Sequence, residues 1–270
     1  MSKELNYQSL GKRNILVAED VELNQYLARH IMESWGFDVD IAHNGREAVE
    51  MVQRNNYDLV LMDIQMPEMD GMEATRQIRK LQDVFKASIP VVALTANALK
   101  GDSEKYIAAG MNDYLSKPFD EPQLFMVISQ NLKAFDNITI NQPVQKDIPP
   151  VIPQEPEKLY DLSMVQSISG GDEGFVKRMV QLFIDTMPPA LKELKQEVKQ
   201  QNWISVGKLA HKLKSTIDSM GIALLKDDIR TIELNGKKAE EVDKIPSLAE
   251  NVTVIIEKCI EQLKNDYGIS

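Results

Sequence analysis

Three acidic residues, Glu19, Asp20 and Asp63, stand where they could share one chemistry. Asp63 closes the apolar run Leu59-Val60-Leu61-Met62 and is followed by the turn signals Met66-Pro67 and Asp70-Gly71. Glu19-Asp20 closes a second apolar run, Ile15-Leu16-Val17-Ala18. Runs of this kind predict strands buried on both faces of a sheet. The acidic ends then lie at the carboxyl edge, where open α/β sheets place their ligands. Carboxylates crowded at one edge raise one another's pKa unless a cation joins them. A hard divalent ion with oxygen ligands, Mg2+ or Mn2+, resolves that conflict. With the ion present, one carboxylate could attack a phosphoryl group as a covalent nucleophile.

A second candidate is His211, whose helical neighbours are Gly207 at i−4, Lys208 at i−3, Lys214 at i+3 and Ser215 at i+4. Glycine inside a helix costs about 1 kcal/mol relative to alanine, so its presence asks for a reason. Small residues above and below would leave the imidazole uncovered, and the two lysines could hold a phosphoryl group by charge. A neutral imidazole is a good nucleophile near neutral pH. His30 and His43 show no comparable surroundings and read as incidental.

The elements that must position these groups fall into two patterns. Residues 14–133 alternate strand and helix: strands at 14–19, 38–42, 58–63, 89–94 and 112–115, helices at 22–35, 44–55, 71–84, 97–109 and 120–132. Five β/α units predict a doubly wound parallel sheet covered on both faces. Residues 134–158 hold Pro143, Pro149, Pro150, Pro153 and Pro156 and no glycine, the composition of a semi-rigid spacer reaching roughly 60 Å when extended. Residues 159–270 carry helical periodicity only. Trp203, Val206, Ala210, Leu213, Ile217 and Met220 form one seam, and similar faces recur at 176–198, 222–232 and 248–263. That pattern predicts an antiparallel four-helix bundle. Pro188 and Pro189 are expected to open a helix in its first turn. Residues 1–13 read as a leader.

Composition excludes several classes. A formal net charge of −10 disfavours binding to nucleic acid. The apolar runs are strand-sized, so insertion into a membrane is not expected. The polar first ten residues lack a secretory signal, and a lone cysteine, Cys259, excludes an internal disulfide. A cytoplasmic location is expected, either as a free protein or as the cytoplasmic tail of a membrane-bound one.

Residues 14–133 resemble a bacterial response-regulator receiver domain. The resemblance rests on Glu19-Asp20, on Asp63 with Met66-Pro67 and Asp70-Gly71, on Thr95 ending VVALTA, and on Lys117-Pro118 in YLSKPF. It implies a flavodoxin-like sheet of order 2-1-3-4-5, with Asp63 as phospho-acceptor. Magnesium would be held by Asp20, Asp63 and the main-chain carbonyl of Gln65, with Glu19 reached through water. Thr95 and Lys117 would contact phosphoryl oxygens, and Tyr114 would swing into the gap left when Thr95 turns toward them. Val21 stands where many receivers of hybrid kinases carry Asn, with Asn24 one helical turn beyond Asp20. AHKLKSTIDSMGI (210–222) resembles the acceptor helix of a histidine-phosphotransfer domain, with Ser215 where that family usually has Gly. His211 would be its phosphorylated residue, with Gly207, Lys208, Lys214 and Ser215 forming the surface around it.

Together the resemblances imply phosphorelay signalling, with a sensor histidine kinase (in the same or a separate chain) upstream and a response regulator downstream. The sequence shows no glycine-rich phosphate loop and no dimerising helix pair, so it is not an ATP-dependent kinase by itself. Its own chemistry would be phosphoryl transfer to Asp63 and hydrolysis there. A second reading is a binding module, in which phospho-Asp63 only alters docking and the bundle is a docking surface. A metal-dependent phosphatase is disfavoured, because Gln65 stands where aspartate-nucleophile phosphatases commonly carry a second Asp. Gln65 and Asn97 occupy the variable positions flanking the site and should tune hydrolysis of the acyl phosphate. Substituting both should change the lifetime of phospho-Asp63, read as loss of label over time; an unchanged lifetime removes that role.

Overall fold

The computed structural model describes residues 7–96, 102–136 and 158–269. Asn97 and most of the proline-rich segment lie outside the described residues. The chain divides into two compact units, Met1–Pro149 and Pro150–Ser270.

The first unit runs β1 (Asn14–Ala18), α1 (Glu22–Ser34), β2 (Asp38–Ala42), α2 (Gly45–Arg54), β3 (Leu59–Asp63), α3 (Gly71–Ile78), α4 (Val84–Ala87), β4 (Val91–Thr95), α5 (Asp102–Ala108), β5 (Asp113–Ser116) and α6 (Glu121–Asp136). The strands form one five-stranded parallel sheet, order β2-β1-β3-β4-β5. Every residue of the two central strands β3 and β4 is buried, as their unbroken apolar runs require. The chain leaves β1 for one edge and returns to the other at β3, so the switch point lies between the strands carrying Glu19 and Asp63. Asp63 pairs with Leu94 in the register, and Thr95 is one residue further along. Gly71 lets α3 begin directly beneath the site, because a Cβ there would lie 2.1 Å from the Asp63 carbonyl oxygen.

Three local expectations differ. The helix expected over 71–84 is two pieces. The Asp83 carboxylate accepts from Phe85 N–H and Lys86 N–H and starts α4 anew. Arg79, meanwhile, ties the end of α3 to its surroundings, donating to the carbonyls of Gly110, Ala87 and Ile89 and to Asn112 Oδ1 at 2.8–2.9 Å. Of the residues read as a leader, the described ones, 7–13, join the unit. Tyr7, in the 3-10 turn Tyr7–Leu10, stacks on Trp35 at 5.5 Å and meets Phe125 edge-on at 5.0 Å. Finally, α6 continues to Asp136, three residues into the segment read as spacer.

The second unit comprises α7 (Ser163–Ile168), α8 (Glu173–Lys199), α9 (Trp203–Ser219), α10 (Lys226–Lys238) and α11 (Ile245–Tyr267). Pro188 and Pro189 do not open a helix; they lie inside α8. The apolar face Phe183, Met187, Leu191 and Leu194 runs unbroken past them into the core, so packing outweighs the two lost backbone bonds. The α9 seam is buried as expected from Val206 to Met220. In α11 the inward residue is Ile256 rather than Ile255, which turns that face by one position.

Gly207 has a different reason from access. It packs against Gly236, and a Cβ on it would lie 2.5 Å from Lys237 N and 2.9 Å from Gly236 C. Two facing glycines bring the α9 and α10 backbones together, closer than side chains would allow. Gly207→Ala should therefore destabilise the second unit by about 1–3 kcal/mol despite alanine's better helix propensity. Denaturant unfolding would read this, and a stabilised variant would contradict the close approach.

Candidate functional site

Two clusters of buried charge emerge, one in each unit. In the first, oxygens of Glu19, Asp20 and Asp63 lie within 4.8 Å of one another at the carboxyl edge of the sheet. Glu19 and Asp63 are 1% and 2% exposed. Lys117, just beyond β5, reaches between them, with Nζ 2.6 Å from Asp63 Oδ2 and 2.9 Å from Glu19 Oε2. The Asp63 carboxyl is pushed up to about 7, by burial first and by the Glu19 charge, against the pull of Lys117. Burial likewise opposes the Lys117 charge, but two carboxylates outweigh it and hold the ammonium protonated. The asymmetry is physical: one ammonium is shared between two anions, so it is well satisfied and they are not. The three carboxylates form an all-oxygen donor set, which fits a hard dication.

Other expected members gather here. Gln65 is exposed, and its N–H donates to Asp63 Oδ1 at 3.1 Å. Thr95 is 4% exposed and shares a 3.0 Å hydrogen bond with the hydroxyl of Tyr106, while Tyr114 is 38% exposed. Sequence reading missed Tyr106, because nothing in α5 marks its direction. It also gave no role to Gln25 and none to Asn24 beyond its spacing from Asp20. Asn24 Nδ2 donates to Glu19 Oε1 at 3.2 Å, and Gln25 Nε2 donates to the Glu19 carbonyl at 2.6 Å. Position did offer a signal: both amides lie one turn into the helix that follows the acidic pair.

The second cluster centres on a residue that the sequence reading passed over, Glu233 in α10. Its Oε1 lies 2.7 Å from His211 Nδ1 and accepts from Lys237 Nζ at 2.6 Å; its Oε2 accepts from Lys214 Nζ. A carboxylate only accepts, so the imidazole proton sits on Nδ1 and the lone pair on Nε2. Burial alone would raise the Glu233 pKa, but its three partners hold it well below the usual carboxylate range. His211 is pushed below its ordinary 6.5, by burial first and against the pull of Glu233. The signal was legible in hindsight: Glu233 shares the helical face of Ile229, Ile232 and Gly236, an acid at a core position.

Here the expected surface is corrected. His211 is not uncovered; it is 6% exposed, and its Nε2 is buried without a hydrogen-bond partner. Gly207, Lys214 and Ser215 are buried too, and of the four residues assigned to the surrounding surface only Lys208 is exposed. The reason is the close α9–α10 contact, which draws this face of α9 under α10. Glu233→Gln removes the anion that supports a charged imidazole and leaves the buried ammonium of Lys214 without its carboxylate partner. His211 should then titrate at still lower pH than in the wild type, as read from its imidazole resonances; an unchanged or raised titration point contradicts the assigned contact.

Comparison with known proteins bears on both clusters. The family described as response regulator receiver domain matches residues 15–129, and the Hpt domain family matches residues 178–266. The aerobic respiration control sensor protein ArcB of Escherichia coli (strain K12) is 31% identical over 95% of this chain and 31% of its own length. The signal transduction histidine-protein kinase BarA of the same strain is 28% identical over 87% of this chain and 25% of its own. The chain thus spans about a third or less of these relatives. A solved receiver domain of a Pseudomonas aeruginosa sensor histidine kinase, with magnesium in its active-site cleft, is 39% identical over 45% of this chain and 98% of that one, with a TM-score of 0.42. The first unit carries its carboxylate–lysine cluster on a response regulator receiver domain, and the histidine cluster of the second belongs to an Hpt domain.

Proposed function

We propose that this chain is a phosphorelay segment in which Asp63 and His211 each carry the phosphoryl group. The observation that carries the reading is the pairing of a carboxylate cluster suited to a dication with a buried, tautomer-fixed histidine, on the two domain types that a relay combines. A bound Mg2+ (or Mn2+) would neutralise phosphoryl oxygens during in-line transfer. Asp20, Asp63 and the Gln65 carbonyl would hold it, with Glu19 behind a water.

At the first site an Asp63 oxygen forms the new P–O bond as the P–N bond to a donor phosphohistidine breaks. Lys117 and the Thr95 hydroxyl take phosphoryl oxygens as charge develops on them. At the second site the Nε2 lone pair of His211 attacks phosphorus and an aspartyl oxygen leaves as carboxylate. The proton stays on Nδ1, hydrogen-bonded to Glu233, so no general base is required. Nε2 must be uncovered when a receiver docks, and Lys208 lies on the exposed side of α9 to meet it.

Among the described residues no helix is long and apolar enough to cross a membrane. In the proposed setting the chain works in the cytoplasm. It takes phosphoryl from a sensor histidine kinase, in the same chain or another, and delivers it to a downstream response regulator. The proline-rich segment would tether the two sites and raise their effective concentration. Incubation with a phosphorylated donor kinase should label Asp63 and then give acid-labile label on His211. Asp63→Ala should abolish the first, and His211→Gln only the second. Label confined to Asp63 would instead make the bundle a docking surface.

A further inference from the structure

We propose that Tyr106 is a positioning residue: its phenol holds the Thr95 hydroxyl in the resting arrangement and must release it before Thr95 can serve a phosphoryl group on Asp63. The inference rests on the reading of the first site given above. Tyr106 comes from α5, is 6% exposed, and meets Thr95 Oγ1 at 3.0 Å in a buried hydrogen bond. Thr95 ends β4 one residue beyond the register partner of Asp63, so its hydroxyl is within a side chain's turn of the acceptor strand. Tyr114, expected to enter the space that Thr95 vacates, is instead 38% exposed, with its ring 6.3 Å from that of Tyr106 and tilted by 53°.

Tyr106 therefore holds Thr95 while its own ring neighbours that of Tyr114. Whichever hydroxyl donates, turning Thr95 toward phosphoryl oxygens breaks its bond with the phenol. The resting bond is a cost of switching, set by a residue outside the acidic cluster. Removing only the phenol oxygen, with the ring retained, weakens the resting state and leaves the switched state untouched.

The test uses Tyr106→Phe in the full chain, with beryllofluoride and Mg2+ as the phosphoryl probe. The variant should bind the probe about 3- to 10-fold more tightly, the scale of one neutral hydrogen bond. In a Thr95→Ala background the same change should have no effect. Unchanged or weaker binding in Tyr106→Phe overturns the proposal; weaker binding would mean that the phenol braces Thr95 in both states. A second readout needs no probe: in the ligand-free variant the Tyr114 ring resonances should move toward their switched positions, and unmoved resonances also overturn it. Should the wild type bind no beryllofluoride, the acceptor reading of Asp63 fails, while the ligand-free Tyr114 comparison still decides the role of Tyr106.

Discussion

One ammonium shared between two buried carboxylates is the constraint on which the first unit depends. Lys117 satisfies its own charge through Asp63 and Glu19, and Asp20 brings a third carboxylate to the same edge. Taking charges out of water costs several kcal/mol per ion, so such a cluster persists only where a rigid frame enforces it. Parallel strands β1 and β3 supply that frame, with their carboxyl ends adjacent and buried on both sides. Gly71 beneath Asp63 and the amides of Asn24 and Gln25 behind Glu19 complete it. The result is a pocket of fixed oxygens suited to a dication.

The second unit gathers its charges around one acid. Glu233 accepts from Lys214 and Lys237 and holds the Nδ1 proton of His211. A carboxylate site suited to a dication and a histidine site lined with ammonium groups are complementary stations for a phosphoryl group. The same Glu233 also decides which imidazole nitrogen can react, so one buried acid sets both charge and tautomer.

Much of the first unit was legible because its signals are local. Unbroken apolar runs ending in acids dictated buried strands and placed Asp63, Glu19 and Asp20 together. Lys117 and Thr95 entered only through the resemblance, since neither spacing nor periodicity says that a residue near position 117 meets one near position 19. The second unit hid its key residue for the same reason. Glu233 lies on another helix, and only the Gly207–Gly236 contact brings it to His211. A glycine read as an opening over the histidine turned out to be the close contact that covers it. The two prolines misled likewise, because propensity was weighed without the packing that holds α8 straight through them.

The fitness of the sheet edge for a dication is tested most directly by calorimetric titration of Mg2+ into the full chain, beside an Asp20→Asn variant that removes one of the three carboxylates without touching the Lys117 contacts. The account predicts one-to-one binding to the wild type and a large loss of affinity in the variant. Absence of binding to the wild type, or equal affinity in both, would contradict it.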